Sequence, residues 1–393
     1  MTSIRARHYR TGAWVEVGLE GGRIRSVEAV DPPNDGRGEE WVAPAFWDIQ
    51  LNGRWGLSYS DPSLTPEQAA DLVRSQDALG TARQCPTLIT ASCEAFVAGL
   101  RAIASACEQD REVARRVAGI HLEGPYISAV DGFRGAHPFD AVRAPEWEEF
   151  QRFQEASGGR VALLTLAPEQ PKAIPFIRKV VDSGVAVAIG HTAADGATLR
   201  AAADAGASLS THLGNGIAAS LPRHPNPIWE QAAIDSLSAS FIADGHHVDH
   251  ATLRVLVRAK TLARTILVSD ASPLAGLPPG TYGAWAVDPS GKIVVAGTPY
   301  LAGSNQDLEA GLNTLLEATG LPVGELLATV TTNPARLLGK PQPEIAVDQP
   351  ADLICFRLEN APDGPTRFRL VTTYVGGTPA PAGSTPAGPA LSA

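Results

Sequence analysis

Short apolar strands alternate with helical stretches over most of this chain, and no other feature constrains the fold as strongly. Between Trp41 and Val268, runs of β-branched and apolar residues are separated by alanine-rich segments with helical spacing. This alternation is typical of parallel strands joined by helices. Roughly eight candidate strands can be counted, the number that a closed barrel requires. We therefore predict an α/β fold with a TIM-like (β/α)8 barrel, whose strands are Val42–Gln50, Thr81–Ile89, Val117–Leu122, Val161–Leu166, Val185–Ile189, Ser208–Thr211, Ser238–Ile242 and Thr265–Val268.

The two ends of the chain have the pattern of antiparallel strands instead. Residues 4–30 alternate and turn, with a hairpin signal at Glu20-Gly21-Gly22, and residues 345–375 return to strand character. Residues Trp285–Val295, after the last barrel strand, also have a hairpin-like pattern. We expect residues 1–42 and 344–377 to pair in one small β-domain beside a barrel formed by residues 43–343. Residues 378–393 are mostly Pro, Ala, Gly and Ser, and this composition predicts a disordered tail because little apolar surface is available for burial.

Charge and hydropathy argue against two classes of partner. The formal net charge is -10, whereas nucleic-acid binding requires a basic face, so we expect no nucleic-acid partner. No stretch approaches the roughly 18 consecutive apolar residues of a membrane span, so we expect no membrane insertion. The four cysteines form no C-x-x-C pair, which favours free thiols in a reducing cytoplasm and predicts a cytoplasmic protein.

Polar residues of metal-binding and proton-transfer type follow one candidate strand after another. In a (β/α)8 barrel the carboxyl ends of the strands meet at one face, where active sites lie. A single histidine at a strand end is more often structural, but six strand ends in register are hard to obtain by accident. The residues concerned are Gln50 and Asn52 after the first strand, Glu123 after the third, His191 after the fifth, His212 after the sixth, His247 after the seventh and Asp270 after the eighth.

These residue types suggest a metal-dependent hydrolase. A catalytic zinc site typically has three protein ligands and one position for water, which predicts Glu123, His191 and His212 as ligands. Asp270 would then accept a proton from the attacking water and return it to the leaving amine. His247 would donate a hydrogen bond to the developing oxyanion.

The ordered set of motifs resembles the N-acetylglucosamine-6-phosphate deacetylases, which belong to the amidohydrolase superfamily. The resemblance runs from about Ile4 to Gly377 and implies a barrel with a small β-sandwich, a homodimer, and removal of acetate from N-acetyl-D-glucosamine 6-phosphate. The segments that carry it are Pro44–Gly53, His121–Pro125, Gly190–Thr192, Thr211–Asn215, Asp244–Asp249 and Val268–Asp270.

The resemblance also assigns roles residue by residue. It places the family's metal ligands on Glu123, His191 and His212, its proton-transfer aspartate on Asp270, and its acetyl-contacting histidine on His247. It implies substrate contacts at His137, Asn215 and the backbone of Gly216, and an arginine that reaches the phosphate across the dimer at Arg223. The implied partner is an amino sugar phosphate.

This chain departs from the wider superfamily at several positions. Many amidohydrolases have two histidines after the first strand, which help to bind a second metal ion, but Gln50 and Asn52 are neutral amides and poor ligands. We therefore expect one divalent ion per subunit, zinc first, with iron, cobalt or manganese also compatible, and Gln50 contacting the metal-bound water. His246 replaces an apolar family residue and is interpreted as structural. Arg54 and Trp55 are expected to alter the mouth of the pocket.

Two other functions stay open on the sequence alone. The unusual residues Arg54 and Trp55 and the rigid loop at Arg223 allow a deacylase of a different or unphosphorylated N-acyl amino sugar. A comparison of kcat/KM for phosphorylated and free sugars would separate the two substrates. A catalytically inactive barrel that serves as a binding or regulatory protein is disfavoured by the intact set of Glu123, His191, His212 and Asp270, and metal analysis would test it.

Overall fold

The N-terminal segment forms the first strands of a mixed sheet. A computed structural model describes residues 2–33, 39–360 and 365–383. Strands β1 and β2 are antiparallel, β3 returns along β2 after the hairpin at Gly21-Gly22, and β4 lies parallel to β1. This matches the pairing expected for residues 4–30. The bounds are β1 Thr2–His8, β2 Trp14–Glu20, β3 Arg23–Ala29 and β4 Trp41–Pro44.

Eight parallel strands then form the barrel. The first barrel strand lies at one end of the hydrogen-bonded order and the last lies at the other, and a parallel bridge between Leu51 and Ala271 brings the two ends together. The predicted (β/α)8 barrel is therefore confirmed. Its strands are β5 Phe46–Leu51, β8 Thr81–Ile89, β9 Ile120–Glu123, β10 Val161–Leu166, β11 Ala186–Ile189, β12 Leu209–Ser210, β13 Ser238–Phe241 and β14 Thr265–Leu267, and a small hairpin, β6 Gly53–Arg54 and β7 Leu57–Ser58, follows the first of them.

Helices join the barrel strands and begin at residues with capping side chains. The Thr65 hydroxyl accepts a hydrogen bond from the backbone of Gln68, whose side chain bonds back to Thr65, and Asp195 caps its helix in the same position. The helices are α1 Pro66–Ser75, α2 Cys93–Gln109, α3 Arg111–Arg116, α4 Trp147–Ala156, α5 Ala173–Asp182, α6 Gly196–Asp204, α7 Pro227–Ala233 and α8 His250–Lys260, with 3-10 turns at Gln76–Leu79, Phe139–Ala141 and Leu262–Arg264.

The barrel interior is packed with side chains. Buried residues from different strands meet in one cluster, because alternate residues of each strand point inward. The candidate site lies at the carboxyl ends of the same strands. The cluster contains Ile49, Cys85, Leu163, Ala188, Leu209, Ile242, Ile266 and Val268.

After the eighth barrel strand, an antiparallel ribbon precedes the last helices. Strand β16 pairs with both of its neighbours, so the hairpin expected near Trp285–Val295 has a third strand. The bounds are β15 Gly280–Tyr282, β16 Trp285–Val287, β17 Ile293–Val295, α9 Leu308–Thr319, α10 Val323–Leu326 with a 3-10 turn at Leu327–Val330, and α11 Thr332–Leu337.

The C-terminal strands complete the mixed sheet, so both chain ends form one seven-stranded layer as expected. Alternate residues of its strands face two different clusters: Ile354 and Phe356 pack toward the barrel helices, whereas Leu353 and Cys355 enclose a separate core with the N-terminal strands. The last strands are β18 Leu353–Asn360, β19 Thr366–Val375 and β20 Thr378–Pro381.

Two expectations about the sheets need correction. The predicted strand Val42–Gln50 is divided between the sheets, because Ala45 donates its backbone N–H to the carbonyl of Asp352 in the mixed sheet and the chain then enters the barrel. The disordered tail was predicted to begin at residue 378, but Thr378–Pro381 form strand β20. Strand β20 is the edge strand of the sheet and pairs with β19 through backbone bonds, which need no apolar side chains and tolerate proline at an edge. Residues 384–393 lie outside the described part of the chain.

The described residues also show the state of the cysteines and the length of the helices. Among the described residues all four cysteines are free thiols, and Cys85, Cys107 and Cys355 are buried. No helix in the described ranges has the length and apolar character needed to cross a membrane.

Candidate functional site

Three candidate metal ligands converge at the carboxyl end of the barrel. Glu123 is the last residue of β9, His191 follows β11 after Gly190, and His212 follows β12 after Thr211. Nε2 of His191 lies 3.2 Å and Nε2 of His212 lies 2.9 Å from the same oxygen, Oε1 of Glu123. One ligand atom from each residue lies within 4.8 Å of the others. The structure therefore brings together all three residues that the sequence predicted as ligands.

The imidazoles are held so that their Nε2 atoms face Glu123. Nδ1 of His191 lies 3.1 Å from the carbonyl oxygen of Phe133, so it donates its proton there and leaves the Nε2 lone pair free. The ring of His212 stands nearly perpendicular to that of His191, at 88°. Burial alone would raise the pKa of Glu123, but the contacts of its carboxylate with the two imidazoles hold that pKa well below its usual range.

The backbone at the site is in the left-handed region. His191, His212 and Asp270 have φ values of 49°, 31° and 46°, although residues with a Cβ rarely adopt positive φ. Such conformations persist only where surrounding contacts impose them, and they cluster at functional sites. The turns after β11, β12 and β14 are therefore built to direct these side chains into the barrel mouth.

Glycine lets the neighbouring loops approach the His191 ring. A Cβ on Gly216, where φ is +59°, would lie 2.7 Å from Nδ1 of His191. A Cβ on Gly135, where φ is +61°, would lie 3.2 Å from Cε1 of the same ring. The imidazole is thus enclosed by backbone on two sides, because only glycine permits so close an approach.

Asp270 lies beside the candidate ligands and is bound by two amides. Nδ2 of Asn52 donates to Oδ1 of Asp270 over 2.6 Å, and Nε2 of Gln50 donates to the same oxygen over 3.2 Å. Gln50 also donates to Oε1 of Glu123 over 3.0 Å, so its amide links the two carboxylates. Burial, and secondarily the charge of Glu123, raises the pKa of Asp270 to about 8.

His247 is oriented by a buried carboxylate. Its Nδ1 lies 2.7 Å from Oδ2 of Asp244, which also accepts a 2.9 Å hydrogen bond from the Ser304 hydroxyl. Although burial opposes ionisation, the hydrogen bond from His247 keeps the pKa of Asp244 well below its ordinary value. The opposite face of His247 lines the same cavity as Glu123 and Asp270.

The cavity above these residues has a volume of about 280 Å³ and also contains three further predicted substrate contacts, whereas Gln50 and Arg223 do not line it. His137, Asn215 and Gly216 line it. Nδ1 of His137 lies 2.8 Å from the Thr90 hydroxyl, and its ring packs edge-on against that of His191. Burial lowers the pKa of His137 to about 3, so its imidazole is neutral at physiological pH.

Comparison with known proteins agrees with this geometry. The family model described as "Amidohydrolase family" matches residues 41–388, which is most of the chain. The chain belongs to the amidohydrolase family. Curated relatives include the N-acetylglucosamine-6-phosphate deacetylase of Bos taurus, which is 35% identical over 86% of this chain and 82% of its own length. The N-acetylgalactosamine-6-phosphate deacetylase of Escherichia coli O157:H7 is 30% identical over 86% of this chain and 89% of its own length.

Solved structures extend the likeness to the whole fold of this amidohydrolase. A mutant N-acetyl-D-glucosamine-6-phosphate deacetylase from Mycobacterium smegmatis, determined in complex with N-acetyl-D-glucosamine-6-phosphate, superposes with a TM-score of 0.81. It is 30% identical, and the match covers 93% of this chain and 94% of that one. The resemblance stated from the motifs is therefore confirmed.

The donor set of this amidohydrolase fits a divalent metal ion. Two imidazole nitrogens and one carboxylate oxygen converge from three strands, which is a ligand set suited to zinc and related ions. Nδ1 of His212 is buried and has no hydrogen-bond partner among the described residues, so the orientation of this ring depends on its Nε2 contact.

Several expected site residues lie outside the cavity of their own chain. Arg223 is exposed in the loop before α7 and does not line the cavity, so its phosphate contact stays a prediction. His246 is exposed and bonds to Asp244 only through its backbone N–H. Arg54 is buried against the Trp55 ring, and neither residue lines the cavity, so the expected change at the pocket mouth is not seen there.

Sequence reasoning did not identify the aromatic residues at the cavity rim. Trp285 on β16 and Tyr300 just after β17 line the cavity, together with Leu301 and Ala302. These residues belong to the ribbon after β14 and not to a barrel strand end. The only sequence signal was the hairpin pattern, which indicates a strand but not the surface that the strand covers.

Proposed function

We propose that this amidohydrolase removes acetate from N-acetyl-D-glucosamine 6-phosphate to give glucosamine 6-phosphate. The observation that carries the proposal is the placement of Asp270 beside the Glu123, His191 and His212 cluster, with Gln50 bonded to both carboxylates. Relatives at 30–35% identity that act on N-acetylated hexosamine 6-phosphates support this substrate class.

The proton-transfer role is assigned to Asp270. As a carboxylate, it accepts a proton from the water that attacks the amide carbonyl carbon. The same group then donates that proton to the sugar nitrogen as the carbon–nitrogen bond breaks, so acetate and a free amine leave. Since burial raises the pKa of Asp270 to about 8, the protonated form can persist until the nitrogen takes the proton.

The histidines of the cavity act on the substrate oxygen atoms. Nδ1 of His247 donates to the Asp244 carboxylate, and Nε2, when it also carries a proton, donates to the carbonyl oxygen as negative charge develops there. The neutral His137 and the amide of Asn215 are assigned to the sugar. Nδ2 of Asn215 is buried and has no hydrogen-bond partner among the described residues, which supports this assignment.

We assign Glu123, His191 and His212 to one divalent ion per subunit, with zinc as the first choice and iron, cobalt and manganese as the ions to compare. When bound, such an ion lowers the pKa of its water toward about 7 and polarises the carbonyl. Gln50 and Asn52 both bond to Asp270 through amide nitrogens, and an N–H donor cannot ligate a cation. This supports a site for one ion.

A homodimer is part of the proposal. Among the described residues that line the cavity there is no lysine or arginine, yet the proposed substrate carries a phosphate. Arg223 is exposed on the loop before α7 and is the arginine that the family resemblance assigns to the phosphate of the partner's site. Measurement of the mass in solution by light scattering tests the dimer, and the KM of Arg223→Ala tests the phosphate contact. We also propose that the protein is cytoplasmic.

The decisive experiment measures acetate release by enzyme loaded with each metal ion. Efficient release from N-acetylglucosamine 6-phosphate is the expected result. No release from this sugar, combined with efficient cleavage of another N-acyl substrate, would contradict the proposed substrate. No release from any N-acetylated amino sugar by metal-replete enzyme would contradict the deacetylase activity itself.

The galactosamine epimer is the second candidate substrate. Relatives that act on N-acetylgalactosamine 6-phosphate match this chain as extensively as those that act on the gluco epimer. The ratio of kcat/KM for the two epimers decides between them, because this ratio measures differential binding of the transition state. The unphosphorylated sugars complete the series.

A further inference from the structure

The cavity has one wall that the proposed mechanism does not use. His137, Asn215 and Gly216 line the cavity and already have assigned roles. Trp285 and Tyr300 also line it, and they belong to neither a barrel strand nor a barrel turn. Tyr300 is 52% exposed, although large apolar surfaces are normally buried. The exposure of an aromatic ring at a cavity mouth indicates a contact surface.

The two aromatic residues are held in register with the catalytic segment. The backbone of Val295 donates to the carbonyl of Tyr300 over 2.8 Å, and Val295 is itself the β-partner of Trp285. Further along the same segment, Ser304 donates its backbone N–H to the carbonyl of Asp270 over 2.8 Å. These backbone bonds attach the ribbon to Asp270, the proton-transfer residue, and fix the position of Trp285 and Tyr300 relative to it.

Depth in the cavity separates the reacting group from the rest of the substrate. Glu123 is 3% and Asp270 is 8% exposed, so the amide that reacts between them must enter the deepest part. Tyr300 lies at the rim, where the remainder of an N-acetylamino sugar would be. The wall there offers aromatic faces and, among the described lining residues, no cationic side chain. Such a surface suits the apolar C–H face of a pyranose ring.

We propose that Trp285 and Tyr300 form the surface on which the sugar ring of the substrate packs, and that they determine its affinity. This inference rests on the proposed function, because it names the part of the site that recognises the ring. Both residues are specificity determinants and take no part in proton transfer. They contribute equally to binding of substrate and product, since both contain the ring.

The test uses single variants of the metal-loaded enzyme with N-acetylglucosamine 6-phosphate as substrate and glucosamine 6-phosphate as product inhibitor. Trp285→Ala and Tyr300→Ala should each raise KM about tenfold while kcat changes by less than about twofold. The inhibition constant of the product should rise by the same factor, although the product has no acyl group. Trp285→Phe and Tyr300→Phe should retain most of the affinity, because an aromatic face remains.

Tyr282 provides the matched control on the same ribbon. It lies directly opposite Trp285 in the register but does not line the cavity, and its hydroxyl donates to the carbonyl of Pro278. Tyr282→Ala should therefore leave KM near the value of the unmodified enzyme. An equal rise of KM in Tyr282→Ala would show that substitutions in the ribbon act through its structure and not through contact with the sugar. If KM rose while the inhibition constant of the product stayed unchanged, the aromatic residues would contact the acyl group and not the sugar ring. This result would overturn the proposal.

Failure of this inference is distinguishable from failure of the proposed function. If the unmodified enzyme releases acetate and the aromatic variants bind sugar normally, only the inference is wrong. If the metal-loaded enzyme releases acetate from no N-acetylated sugar, the proposed function is wrong, and direct calorimetric titration with glucosamine 6-phosphate decides the inference. Normal binding of that ligand by Trp285→Ala would contradict the inference in that case also.

Discussion

Nδ2 of Asn52 lies 2.6 Å from Oδ1 of Asp270, the shortest hydrogen bond that this carboxylate makes to a side chain among the described residues. The amide donates, so the bond favours the ionised form of Asp270, which is the form that can accept a proton from water. Burial and the charge of Glu123 act in the opposite direction and raise the pKa of Asp270 to about 8. The bond from Asn52 therefore opposes the rise and makes the ionised base available at a lower pH than burial alone would allow.

Substitution of Asn52 should shift the pH dependence of activity. In Asn52→Leu the donor is lost, so the pKa of Asp270 should rise by about one unit. Because the base must be ionised to act, the acid limb of the kcat/KM profile should move to higher pH by the same amount. A pH–rate profile of both enzymes, measured at saturating metal concentration, checks this. An acid limb at the same pH in both would contradict the assigned role of the pair.

Asp270→Asn tests the proton-transfer role directly. Asparagine tolerates positive φ and has the same shape, so folding and metal content should be preserved at this position, where φ is 46°. Without a group that accepts and returns the proton, kcat should fall by about 100-fold to 10,000-fold. Single-turnover acetate release and metal analysis are the measurements. Near-normal turnover would remove Asp270 from this role.

The metal site can be tested by its stoichiometry. Purified enzyme should contain about one divalent ion per subunit, and Glu123→Gln should lose most of it, because a neutral amide is a poor ligand. His246→Gln is the control, since His246 is exposed beside the cavity residues and is expected to bind no ion. Elemental analysis after dialysis separates the outcomes. Two ions per subunit, or full retention in Glu123→Gln, would contradict the site as assigned.

The strand ends were predictable from sequence, because the barrel imposes the convergence. Glu123, His191, His212 and Asp270 each lie at or just after the end of a predicted strand, and parallel strands in a barrel bring such positions to one face. The split of the predicted strand Val42–Gln50 was not predicted, since strand-forming residues lie on both sides of Ala45. The break depends on the bond from Ala45 to Asp352, and that pairing partner is remote in sequence.

The outer parts of the site depend on long-range contacts and were found only through resemblance or not at all. His137 lies in a long loop and enters the cavity because its ring packs against His191 and bonds to Thr90. No local pattern indicates those contacts. Trp285 was recognised as a strand residue, but the backbone bond between Ser304 and Asp270 decides which surface its ribbon covers.

Gly216→Ala should impair metal binding, because the new Cβ would collide with the ring of His191. The new Cβ would lie 2.7 Å from Nδ1 of His191, at a position where φ is already +59°, so the imidazole or the loop must move. We expect lower metal affinity and at least about a tenfold loss of kcat/KM. Gly320→Ala is the matched control, because φ is +67° there and a Cβ would meet no atom within 4 Å. Equal effects in both variants would show that backbone strain alone is responsible.

Glu309 on α9 should make stability depend on pH in a defined direction. Burial, followed by the nearby charge of Asp307, raises its pKa from 4.5 to about 7. The folded protein therefore binds a proton more tightly than the unfolded chain. The stabilisation is fully present below pH 4.5 and is lost as the pH rises through about 7. Glu309→Gln removes this dependence, so at pH 8 it should raise the free energy of unfolding by about 2 kcal/mol. Thermal unfolding of both proteins at pH 8 and near pH 5 checks this. The difference in Tm between them should be large at pH 8 and small near pH 5. An equal difference at both pH values would show that the Glu309 carboxyl does not titrate as proposed.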